Sequence, residues 1–125
     1  MHIADEYPPL ALMTEDTFAS YEAVLEQTTG GIGIPAGWMF EEAFDTEKEI
    51  TKVDSPVLVM HSKDDSFIPA ESGQLLYDAA NEPKSLWLVP GSDHADIPAT
   101  DPDGFAAKIT EHIANAETLR VTPTQ

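Results

Sequence analysis

The chain has 125 residues, with 23 acidic residues against 6 basic ones and a net charge of −17, 42% hydrophobic content and no cysteine. That length is one domain's worth or less, able to bury about two thirds of its unfolded surface. The charge repels phosphate backbones and anionic lipid, so nucleic-acid and membrane-surface binding are excluded. The missing cysteines exclude disulfides, thiolate catalysis and zinc–thiolate sites. No apolar run approaches the roughly 20 residues of a membrane span, and the start, Met1 to Glu6, lacks the basic and apolar regions of a signal peptide, so a cytoplasmic setting is expected. The acidity reads either as an ordinary solvated surface or as adaptation to salt, where the Debye length shrinks to about 3 Å near 1 M and self-repulsion is screened.

Residues 1–13 read as an irregular lead-in containing Pro8-Pro9. Thr14 is placed to N-cap a helix running to about Gln27, with Phe18, Tyr21, Val24 and Leu25 on one face and Gly30 stopping it. Residues 28–37 are loop, and Phe40 to Ile50 form a short acidic helix. Asp54-Ser55-Pro56 punctuates before a strand, Val57–His61, whose unbroken apolar run suits burial on both faces. A helix follows over roughly Ala70 to Ala80, carrying Leu75, Leu76 and Tyr77. Gly73 costs it about 1 kcal/mol relative to alanine, tolerable where helix and strand pack closely. Asn81-Glu82-Pro83 ends that helix before a second strand, Ser85–Val89. Asp101 as N-cap with Pro102 at the first helical position starts a last helix, whose Phe105, Ile109 and Ile113 cover the sheet. The tail from Val121 reads as frayed. The chain is therefore expected to form a single unit: a lid or helical lead-in (1–53), a strand-helix-strand-helix core (54–116) and a tail (117–125).

Strand, helix, strand in this order make a β-α-β unit with parallel strands and a right-handed crossover. Parallel neighbours lie about 4.8 Å apart, and both post-strand loops leave the same sheet edge. One loop carries Asp64 and Asp65, the other His94, so a carboxylate and an imidazole emerge side by side; spacing alone does not choose between the two aspartates. His61 reads as a strand-end residue beneath that site, His112 as structural, and Trp38 and Trp87 as core or lid aromatics. Gly31-Ile32-Gly33-Ile34-Pro35-Ala36 formally fits a dinucleotide pattern but follows a helix and contains proline, so it reads as loop. His61, Asp64, Asp65, His94 and Asp96 show no recognised metal-ligand spacing, and no cofactor is expected. Two strands alone are marginal in water and leave an open edge. A homo-oligomer or a complementing chain is expected to cover it.

The run Ser55-Pro56-Val57-Leu58-Val59-Met60-His61, Asp65, Ile68-Pro69, Gly73, Leu76, Ala79, Pro83-Lys84, Leu86 and Pro90-Gly91-Ser92-Asp93-His94 resembles the C-terminal half of an α/β-hydrolase of the single-domain serine esterase, thioesterase or peptidase type. Tyr7-Pro8 and Phe18-Ala19-Ser20 are similar to the segment after that family's sixth strand. The sequence departs at Ser62, where the family usually has glycine, and at Asp93, where a small residue is common. The resemblance implies a partial α/β-hydrolase fold, a C-terminal β-α-β-α unit with parallel strands flanked by helices, in which Val57–His61 is the seventh strand and Ser85–Val89 the eighth. It further implies that Asp65 is the acid and His94 the base of a Ser-His-Asp triad acting on a small ester, thioester or amide. No G-x-S-x-G occurs in the chain, and Ser20, Ser55, Ser62, Ser66, Ser72, Ser85 and Ser92 lack the strand-elbow-helix context of that nucleophile. The expectation is a truncated hydrolase portion starting just after the sixth strand and inactive alone; the alternative is a non-catalytic α/β module that oligomerises or binds a partner.

Overall fold

The computed structural model describes residues 6–20 and 45–121. Its centre is β2 (Val57–Ser62), buried at every position. On one side β2 pairs in parallel with β1 (Leu12–Glu15), and on the other in parallel with β3 (Lys84–Val89), giving the order β1-β2-β3. Alternate side chains of β2 feed two cores, as a period-2 strand between two layers must. Val57 and Val59 pack with Ile50, Val53, Leu76 and Ala80. Leu58 and Met60 pack on the opposite face with Val89, Ile97, Trp87 and Phe105. Burying such a side chain fully contributes about 1.5–3 kcal/mol, so β2 is the strand on which both layers depend.

Helices run over α1 (Thr46–Ile50), α2 (Glu71–Ala79), α3 (Ile97–Thr100) and α4 (Pro102–Val121), of which α3 was not expected from the sequence. Asp45 caps α1 by accepting from the Lys48 amide at 2.9 Å. Asp101 caps α4 through the Gly104 amide at 2.9 Å, as its sequence position predicts. Along α4, Phe105 joins the second core, while the buried positions are His112 and Ala116. The His112 Nε2 reaches the Leu12 carbonyl at 3.1 Å and ties the helix to β1. Gly73 has the reason expected of it: a Cβ there would lie 2.7 Å from His61 Cβ.

Two expectations for residues 6–20 need correction. Leu12–Glu15 is a strand, not irregular lead-in, and Thr14 lies inside it instead of capping a helix. Residues 16–20 are not helical; the remainder of that expected helix, the 28–37 loop, the glycine pattern at 31–36, Trp38 and the start of the acidic helix lie outside the described residues. The strand is held by tertiary pairing: the Leu12 amide donates to the Pro56 carbonyl at 2.8 Å and the Asp16 amide to Met60 at 3.1 Å. β1 precedes β2 in the chain and flanks it in parallel. At the other end α4 continues to Val121, into the expected 117–125 tail. Among the described residues no helix is long and apolar enough to cross a membrane.

Candidate active site

All three strands end at one rim, and the candidate residues stand there. Beyond β2 the chain turns on an Asp65-amide to Ser62-carbonyl bond of 3.3 Å. The Asp65 Oδ1 then accepts from the amides of Phe67 and Ile68, each at 2.7 Å, which folds the loop around its own carboxylate. From below, His61 Nε2 donates to the Ile68 carbonyl at 2.9 Å. His94 leaves the loop after β3 and brings its Nδ1 to 2.8 Å from Asp65 Oδ2. The carboxylate is fully buried, whereas the imidazole is 38% exposed.

The electrostatics assign the protons. Burial works to raise the Asp65 carboxyl, but the Ile68 amide, the His94 hydrogen bond and the Phe67 amide outweigh it and hold the group below the usual carboxylate range. His94 is raised above its ordinary value, first by the hydrogen bond to Asp65 and against partial desolvation, with the charges of Asp65, Asp16 and Asp93 adding to it. An ionised Asp65 can only accept, so Nδ1 carries the proton and donates. Nε2 is left as the ring nitrogen for proton exchange. The exposed Phe67 ring lies 5.3 Å from the imidazole, tilted by 60°.

Asp64 and Asp65 now separate. Asp64 Oδ2 accepts from the Gly91 amide at 2.7 Å, fixing the turn after β3, where Gly91 has φ +74°; it does not share the Asp65 contact. The two departures from the family pattern also acquire partners. Asp93 Oδ1 accepts from the Ser66 amide (2.8 Å) and hydroxyl (2.9 Å), lacing the loop of the acid to the loop of the imidazole. Ser62 donates its hydroxyl to Asp16 Oδ2 at 2.8 Å.

Asp16 escaped the sequence reading. It follows β1, is buried, and no local motif marks it. His61 is fully buried, and Asp96 sits at the start of α3, where its Oδ2 accepts from Thr100 Oγ1 at 3.2 Å. Ser62, Ser72 and Ser92 are fully buried, Ser55 donates to the Pro9 carbonyl at 2.6 Å, Ser66 is engaged by Asp93, and Ser85 lies within β3. Asp16, Asp65 and His94 bring ligand atoms within 4.8 Å of one another. Both carboxylates are already surrounded by N–H and O–H donors, which suits anions held in place better than a cation site.

No protein-family model matches the chain. The uncharacterized protein YfhR of Escherichia coli K12 is 36% identical over 87 residues, covering 69% of this chain and 29% of YfhR. The esterase domain of a Rhodothermus marinus protein superposes with a TM-score of 0.64 at 21% identity, over 89% of this chain and 54% of that domain. MGS-MChE2, an α/β hydrolase enzyme from the sediment metagenome of the Mar Chica lagoon, gives 0.63 at 16% identity, over 91% and 55%. The chain thus has part of an α/β-hydrolase fold, three parallel strands flanked by helices, and spans less than a third of YfhR and about half of the solved hydrolase chains.

Proposed function

We propose that this chain is the portion of an α/β-hydrolase that supplies the acid and base of a Ser-His-Asp triad, Asp65 and His94, for hydrolysis of a small ester, thioester or amide. The observation that carries the reading is the 2.8 Å contact between a fully buried carboxylate and a partly exposed imidazole. In the reaction His94 Nε2 takes the proton of a nucleophile's hydroxyl as its oxygen attacks the acyl carbon. It then gives that proton to the departing alkoxide, thiolate or amine, and repeats the exchange with water to release the acid. Asp65 holds the ring's tautomer and stabilises the imidazolium. The serine and the oxyanion donors come from outside this sequence, which contains no G-x-S-x-G. In a serine protease, loss of the nucleophile alone costs about a millionfold in turnover, so the chain alone is expected to be inactive.

A nitrophenyl-ester assay tests this in two steps. The purified chain should show no hydrolysis that depends on His94. Joined to the G-x-S-x-G-bearing half of a related esterase, it should hydrolyse the ester, and His94→Ala should abolish the activity. Hydrolysis that survives His94→Ala would overturn the assignment. A non-catalytic module is the second reading, favoured by one observation: within the described residues the outer edge of β1 pairs with no strand. That edge suits a complementing chain or a second copy, and light scattering should then report a dimer or larger species.

A further inference from the structure

The described residues that adopt a left-handed backbone without being glycine are Asp16 (φ 46°) and Ala95 (φ 54°). They are hydrogen-bonded to each other, the Ala95 amide donating to Asp16 Oδ2 at 2.7 Å. Conformations of this kind cost about 1–3 kcal/mol each and persist where surrounding contacts impose them, often at functional sites. Here they face each other across the rim, one directly after β1 and one directly after His94. The Asp16 side chain is 1% exposed, and its donors come from the end of β2 and from the loop after β3. Its Oδ1 accepts from the Ser62 amide, and its Oδ2 from the Ser62 hydroxyl as well as from Ala95. The Ser62 hydroxyl in turn lies 3.0 Å from that of Ser92. A buried carboxylate therefore joins β1, the end of β2 and the loop after β3.

We propose that Asp16 is a positioning residue for His94, fixing its loop through the Ala95 amide and supplying a second negative charge behind the imidazolium. This rests on reading His94 as the base. The Ser62 hydroxyl, standing where the family usually has glycine, is then one of the donors to Asp16. An amide cannot replace the carboxylate: three N–H and O–H donors converge on its two oxygens, and an NH2 group would oppose at least one of them. Other groups face the same imidazole. Asp65 bonds it from the loop after β2, Asp93 lies beside it on its own loop, and Glu15 faces it from the end of β1. Burial pushes the Glu15 carboxyl up, and the neighbouring Asp16 pushes it further. Removing the Asp16 charge therefore eases ionisation of Glu15, which partly restores the negative field at His94.

NMR titration of His94 in the 125-residue chain, with amide hydrogen exchange at Ala95, tests the proposal. Asp16→Asn should move the His94 midpoint to lower pH and strip protection from the Ala95 amide, with a larger midpoint shift in a Glu15→Gln background. Ser62→Ala keeps the charge and the Ala95 bond, so it should lower stability while leaving both readouts in place. A His94 midpoint unchanged by Asp16→Asn, when Asp65→Asn lowers it, would overturn the role of Asp16 and leave the acid–base pair intact. If Asp16→Asn does not fold, the unsubstituted chain decides. Ala95 is a surface residue, and its amide should exchange slowly and shift as His94 titrates; exchange at the rate of an open loop would refute the proposal.

Discussion

The attraction between His94 and Asp65 is strongest while both are charged, and that sets a pH window. His94 is raised on folding, so its contribution is complete below the unfolded value of about 6.5 and is lost as pH rises through the folded value. Asp65 is lowered, so its contribution is present above about 3.9 and is lost as pH falls through its folded value. Stability to urea should therefore plateau between these limits and decline on the alkaline side with the imidazole. His94→Ala should remove that alkaline decline. With the ring 38% exposed, solvent screening keeps the effect small; an alkaline limb unchanged in His94→Ala would show that another group causes it. That a carboxylate and His94 share one rim was legible because parallel strands deliver their loops to the same edge, whereas the preference for Asp65 over Asp64 came only from the resemblance. Asp16 was not legible, because its partners Ser62 and Ala95 are 46 and 79 positions away, and a lone aspartate beside Glu15 looks like solvated charge.

At the scale of elements, α2 against β2 offers a case in which local propensity and packing oppose each other. Alanine at position 73 would favour the isolated helix by about 1 kcal/mol. Its methyl would meet His61 Cβ at 2.7 Å, and overpacking of this kind costs about 1–3 kcal/mol. Packing should win, because His61 is pinned through Ile68 and cannot withdraw. Gly73→Ala is expected to lower the melting temperature; a rise would mean that the helix shifts freely on the sheet. β2, α2, β3 and the start of α4 were readable from apolar runs, turn residues and the Asp101-Pro102 cap. β1 was not, since four residues after a double proline carry too little periodicity. Only pairing with β2 makes them a strand.

At the scale of the molecule, the net charge of −17 is scarcely balanced by surface pairs such as Lys52–Glu49 and Lys108–Glu111. Like-charge repulsion destabilises the compact state, and salt relieves it. The melting temperature should rise with potassium chloride; a flat or falling response would show that the acidic surface carries no such penalty. The same composition leaves β2 and its two apolar layers to hold the sheet, and β2 ends where Asp65, Ser62 and the Asp16 network begin. The rim is thus anchored by the most buried strand in the described structure.

Nδ1-proton NMR of His94, recorded with its pH titration in the unsubstituted chain, in Asp65→Asn and in Asp64→Asn, bears on the pair itself. A strongly deshielded Nδ1 proton and a raised imidazole midpoint are expected in the unsubstituted chain and in Asp64→Asn, and both should disappear in Asp65→Asn. A midpoint that ignores Asp65→Asn, or that falls only in Asp64→Asn, would contradict the pairing.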